Sequence, residues 1–116
     1  MKVTNEASDS QSVSQKNDLL RSTLSSKYGK VILTKSISAH PLSLIFLKLV
    51  MNFNDFNSNN DPYGEHDCAI INLKNDNEDY SLMFKIDYYD KSLIYGCEPT
   101  DPDCVRVLTI MFSDER

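Results

Sequence analysis

Tyr80-Ser81-Leu82-Met83-Phe84-Lys85-Ile86-Asp87-Tyr88 is the stretch on which the fold turns. Leu82, Phe84, Ile86 and Tyr88 recur at every second position, the period of a strand with one face in a core. Lys85, Asp87 and the following Tyr89 then point to the opposite face. Upstream, Ala69, Ile71 and Leu73 alternate in the same way, and the polar run from Lys74 to Asp79 reads as a hairpin connection. Two antiparallel strands are expected at about 67–73 and 80–88. Val105 to Phe112 supplies a last strand, with Val105, Val107, Thr109 and Met111 on one face. Leu93 to Tyr95 reads as a short one.

Outward from this sheet, Leu42, Ile45, Phe46, Leu49, Val50 and Phe53 follow the i, i+3, i+4, i+7 spacing of a helix that covers a core. Pro41 suits its first turn, where a missing N–H costs nothing, so a helix is expected over about 41–55. Val31-Ile32-Leu33-Thr34 is β-branched and reads as a strand that Ser36 to Ala39 extends or pairs with. Asn17-Asp18 offers a cap for a short helix over about 18–26, ending near Tyr28-Gly29. Residues 1–16 are almost wholly polar and read as a disordered tail. The expected architecture is α+β, one domain over 17–116: a short N-terminal helix, a strand, a long amphipathic helix, then an antiparallel meander of three to four strands with the helices on one face.

Composition narrows the function. The 116 residues carry a net charge of −5 and no basic run. Proteins that grip nucleic acid need a basic face, so direct nucleic-acid binding is disfavoured. An acidic protein suits solubility or a partner with a basic surface. The cysteines, Cys68, Cys97 and Cys104, are odd in number and include no Cys-x-x-Cys pair, which points to free thiols in a reducing, cytoplasmic setting and against structural zinc. Leu42 to Met51 is too short to span a bilayer. No metal or cofactor is expected, and oligomeric state is not readable.

The chemistry-bearing runs are Asn60-Asp61-Pro62-Tyr63-Gly64-Glu65-His66-Asp67 and Lys85-Ile86-Asp87-Tyr88-Tyr89-Asp90. Carboxylates beside an imidazole can bind a hard cation or divide acid and base roles. If the turn lies against the lysine-bearing strand, a patch gathers Glu65, His66, Asp67, Lys85, Asp87 and Arg106 as catalytic candidates. Asp61, Tyr63, Glu65, Tyr89 and Asp90 are binding candidates. Each has a structural account: Asp61 opens an ordinary turn, His66 can be satisfied by a neighbouring carboxylate, and Lys85 and Arg106 can pair with Asp87 and Asp90 on a sheet surface. Known catalytic patterns fit poorly. Only His40 could join His66 in a metal phosphohydrolase, the nuclease order of acid and lysine is reversed, and no Gly-rich phosphate loop or nucleophile elbow is present. Cys68 beside His66 and Asp67 suggests a thiol nucleophile, but adjacent strand residues face opposite ways.

These runs, with Tyr95-Gly96, Asp101-Pro102 and Arg106-Val107-Leu108-Thr109-Ile110-Met111, resemble the family called domain of unknown function 3768. Asn17-Asp18, Arg21, Thr23, Val31, Leu33-Thr34, Phe53 and Phe56 extend the resemblance to about 17–116. The chain departs from the family pattern at Cys68-Ala69, at Asn75 to Asp79 and between Gly96 and Val105. The resemblance implies kinship with small bacterial, plasmid-borne proteins and names no activity. The expected function is a non-enzymatic, protein-binding or inhibitory accessory factor of mobile genetic elements. The alternative is a small hydrolase or metal-dependent enzyme built on the Glu65-His66-Asp67 and Lys85/Asp87 cluster.

Overall fold

The computed structural model describes residues 6–116, with side chains from residue 12 onward. The order is α1 (Glu6–Thr23), β1 (Lys30–Leu33), α2 (Lys35–Ser38), α3 (Ser43–Met51), β2 (Cys68–Asn75), β3 (Glu78–Tyr89), β4 (Val105–Phe112) and a closing 3₁₀ turn, Ser113–Glu115. The four strands form one sheet in the order β1-β4-β3-β2. The fold is α+β. β2, β3 and β4 make the expected antiparallel meander, and β1 adds to the far edge in parallel, Val31 opposite Leu108.

The helices lie on the face to which Phe84 and Ile86 point. Leu20 of α1, Ile37 of α2, and Phe46 and Val50 of α3 pack with Leu82, Phe84, Leu108 and Ile110, and none of these eight side chains is exposed. An aromatic group closes one end of this core: His40, Phe46, Tyr80 and Phe112 meet at ring distances of 4.9 to 6.5 Å.

Boundaries depart from expectation for identifiable reasons. The first helix starts at Glu6, so residues 6–16 of the expected tail are helical, and residues 1–5 lie outside the described residues. Its buried positions, Val13, Ser14, Asn17, Leu20 and Arg21, keep helical spacing although three of them are polar. Ser36 to Ala39 extends no strand; it falls in the single turn α2 and the residue after it, which seats Ile37 in the core. α3 begins after Pro41, where His40 Nδ1 accepts the Leu42 N–H at 3.0 Å. It stops at Met51 because the next residues are used otherwise: the Phe53 carbonyl accepts from Arg21, and its ring packs on Phe56 and Phe84. Ile45, assigned to the buried stripe, is 43% exposed. Leu93 to Tyr95 forms no strand; the chain turns there, with Leu93 at φ 62 and a single Tyr89–Gly96 bridge beyond it.

Gly29 is fixed by proximity. A Cβ there would lie 2.5 Å from the Arg106 carbonyl oxygen, so the α1–β1 connection crosses β4 as closely as backbone permits.

Candidate functional site

The site grows from one helix residue. Asn17 of α1 is fully buried, and its amide spends every polar atom. Nδ2 donates to the Glu65 carbonyl at 2.9 Å and to the Tyr88 hydroxyl at 2.8 Å. Oδ1 accepts from Arg106 Nε at 2.8 Å. The Tyr88 hydroxyl in turn donates to Asp67 Oδ2 at 3.2 Å. Arg106 Nη2 donates to the Pro99 carbonyl at 2.7 Å, and the guanidinium lies 5.4 Å from the Tyr88 ring. Tyr88 and Arg106 sit opposite each other in the β3–β4 ladder, which puts both side chains on the helix face. One amide thus joins α1, the 61–67 turn, both central strands and the 96–104 loop. Buried polar groups tied in this way hold one arrangement of these segments, because any loosened member would be left unsatisfied.

A second set lies beside the first. Asp18 accepts from Arg21 Nη1 at 2.9 Å and stands 3.0 Å from His66 Nδ1. His66 Nε2 is 3.7 Å from Asp61 Oδ2, so each ring nitrogen faces a carboxylate. The imidazole stacks on Phe56 at 4.1 Å with planes 5° apart, and the Arg21 guanidinium lies 5.1 Å from the same Phe56 ring. Arg21 Nε is buried over these rings without an acceptor. His66 occupies the left-handed region at φ 57, two residues after Gly64 at φ 67. The turn holds because the Asp61 carboxylate accepts the Glu65 and His66 backbone N–H groups at 3.2 and 3.3 Å.

The charges at this end of the sheet are acidic and poorly compensated. Burial, then the negative charges of Asp67, Asp61 and Glu98, raise Glu65 above the usual carboxylate range. Burial also raises Asp67, against the opposing effect of the Tyr88 hydrogen bond, with Asp61 and Asp87 adding to the rise. Burial drives the Tyr88 phenol well above its ordinary value, so it remains a donor to Asp67.

The expected six-residue patch does not assemble on one face. Glu65, His66, Asp67 and Arg106 come together at the helix side. Lys85 and Asp87 lie on the other face of β3, 3.0 Å from each other, where Asp87 holds Lys85 in its charged form. Arg106 bonds to Asn17 and Pro99, with no bond to Asp90, whose carboxylate instead accepts from Ser92. Tyr63 is 78% exposed at the tip of the turn. Tyr89 joins Lys85 and Asp87 in a shallow groove of about 520 Å³ on the outer face. Cys68 is paired with Lys85 in the β2–β3 ladder, facing away from the helices, and burial raises its thiol. Among the described residues no three His, Cys, Asp or Glu side chains are grouped closely enough to hold a metal ion, and no helix is long and apolar enough to cross a membrane.

A concavity of about 700 Å³ runs along the α1–β1 connection from Leu24 to Ile32; Arg106 lines it, but Glu65, His66 and Asp67 do not. A catalytic constellation needs its acid and base beside space for substrate. Here the imidazole is hydrogen-bonded to Asp18 through Nδ1, faces Asp61 at 3.7 Å through Nε2, and has one ring face covered by Phe56. The arrangement works chemically as a clasp, with a negative rim. Sequence reasoning placed Asn17 and Asp18 as helix caps and Tyr88 as a packing residue. The one sign of their role was that Asn17-Asp18, Arg21 and Phe56 recur in the resemblance alongside the turn.

No curated protein and no solved structure matches the chain. The model of the family described as "Protein of unknown function (DUF3768)" matches residues 33–115, a span that takes in the 61–67 turn, Tyr88 and Arg106 and most of the chain, and the protein belongs to that family.

Proposed function

We propose that the protein is a non-enzymatic binding module that engages a basic surface of another protein through the acidic end of its sheet. The observation that carries this reading is the coincidence of clustered carboxylates and exposed apolar side chains at that end. The negative charges of Asp67, Asp61 and Glu98 raise the proton affinity of Glu65, that of Asp61 also raises Asp67, and Tyr63, Ile94 and Tyr95 stand 69 to 78% exposed on the adjoining turns. Aromatic anchors within a charged rim are the usual anatomy of a protein interface. A basic partner would relieve the repulsion among the carboxylates, which gives both affinity and a strong salt dependence. An inhibitory or accessory role for mobile genetic elements is compatible with such a binder.

The test is capture from cell extract followed by affinity measurement on the purified partner, with Tyr63→Ala and Glu98→Gln compared with the unchanged protein. Both positions lie outside the clasp, so fold is retained. Binding should weaken about tenfold or more for Tyr63→Ala and should fall with added salt for the unchanged chain. A partner that binds both variants and the unchanged chain equally, at all salt concentrations, would exclude this end as the interface.

A further inference from the structure

β2 is an edge strand, and most of its free edge lacks the usual protections. It runs from Cys68 to Asn75 in unbroken register with β3, without a bulge or proline, and the single edge charge that could protect it, Lys74, lies near one end and leaves Cys68 to Asn72 uncharged. The other edge is different: β1 has only four residues, begins at Lys30 and runs straight into α2.

The ladder shows which groups are free. The Ile86 N–H donates to the Asp67 carbonyl at 2.7 Å, so Asp67 faces Ile86 as a hydrogen-bonded pair. Alternation along an antiparallel pair then turns the N–H and C=O of Ala69, Ile71, Leu73 and Asn75 toward β3. Those of Cys68, Ile70, Asn72 and Lys74 point out of the sheet. Among the described residues nothing bonds to them. Ile70, Asn72 and Lys74 are also exposed, with Ile70 at 43%.

We propose that this edge pairs with the same edge of a second copy, antiparallel about a two-fold axis through Ile71, to give one continuous sheet across two chains. The register follows from the sequence. An axis at Ile71 sets Cys68 opposite Lys74 and Ile70 opposite Asn72, so that every outward N–H and C=O of both chains has a partner. On the helix side the same register places Ala69 opposite Leu73 and Ile71 opposite itself, all apolar and all bordering the existing core. No like charges face each other. Moving the axis one residue either way leaves Cys68 or Lys74 facing a residue outside the strand, Asp76 or His66. Self-complementarity of this kind is what an isologous interface requires, and the edge involved is separate from the acidic end proposed above to bind a basic protein.

The register can be trapped. With Cys97→Ser and Cys104→Ser in place, Lys74→Cys should form a disulfide with Cys68 of a second copy, because opposed residues in a hydrogen-bonded pair lie within bridging distance. The two positions are too far apart along one strand to bridge within a chain. Adding Cys68→Ser should abolish the cross-link. In parallel, light scattering of the full chain should give twice the 13.2 kDa monomer mass. Asn72→Pro should return it to monomer mass with an unchanged circular dichroism spectrum, since the Asn72 N–H faces solvent in a single chain. Ile70→Lys should do the same by charge repulsion. A monomer at ~1 mM, a cross-link that survives Cys68→Ser, or a dimer that persists in folded Asn72→Pro would each overturn the proposal.

Discussion

Phe84 and Lys85 are neighbours on β3 and belong to different halves of the molecule. Phe84 has no exposed surface and meets Phe53, Phe56 and the Arg21 guanidinium. Lys85, on the opposite face, reaches only across to Asp87 in an ion pair with both side chains about two-fifths exposed. The helix-side face carries the apolar core and also the long-range polar bonds, from Asn17 to Arg106 and from Tyr88 to Asp67. The outer face carries a short-range ion pair, the buried side chains of Met83, Val107 and Met111, and a shallow groove that the last two line. A cluster of charged residues in sequence is therefore divided by the pleat into a group that fixes the fold and a group that decorates it.

The largest expected difference between the faces is in packing. Phe84→Ala should destabilise by about 3–5 kcal/mol, because it opens a cavity among rings and under a guanidinium. Chemical denaturation measures this, and a loss no larger than that of an outer-face substitution would collapse the distinction. Next comes the polar clasp. Asn17→Ala should cost about 1–3 kcal/mol by leaving Arg106 Nε and the Glu65 carbonyl without their partner. Asn17→Asp, which keeps the acceptor for Arg106 and loses the donor to Glu65 and Tyr88, should be destabilising as well. If Asn17→Ala melts like the unchanged protein, the network holds nothing together.

The acidic rim gives an effect of opposite sign. Asp67 and Glu65 are raised in the folded chain, so between the ordinary carboxylate range and their raised values the native state binds more protons than the unfolded state. Stability should then fall as pH rises through that window and show no further change from these two groups above it. Asp67→Asn keeps an acceptor for Tyr88 and removes the charge. It should flatten this slope and raise the melting temperature at neutral pH, as read by thermal melts from about pH 4 to about pH 8. A lower melting temperature at every pH would mean that the carboxylate charge stabilises the clasp. The smallest effect belongs to the outer face. Lys85→Ala should change stability by less than about 1 kcal/mol, the usual worth of an exposed ion pair.

Strands were legible in the sequence because alternation is a local signal, and β4 lies where Val105 to Phe112 placed it. α1 was only half legible. Its buried face is built from Val13, Ser14, Asn17, Leu20 and Arg21, and a search for apolar periodicity sees two of those five. Polar residues that are buried because something distant satisfies them look the same in sequence as polar residues in water. The candidate site suffered from the same blindness. The turn at Asp61 to Gly64 could be read from residue type, whereas the side of β3 to which the turn docks depends on Asn17, far away in the chain. β1 could be recognised as a strand from Val31 to Thr34, but its parallel pairing with β4 is a matter of topology that no local pattern encodes.

Asn17 also bears on how this protein can be handled. The family match starts at residue 33, and the amide that neutralises the hydrogen-bonding demand of Arg106 stands well before it. Trimming an expression clone to the matched boundary would excise Leu20 from the core along with that amide, leaving Arg106 Nε without its protein partner and a bare apolar groove between β4 and α3. The cooperative unit is longer than the segment by which its kinship is recognised.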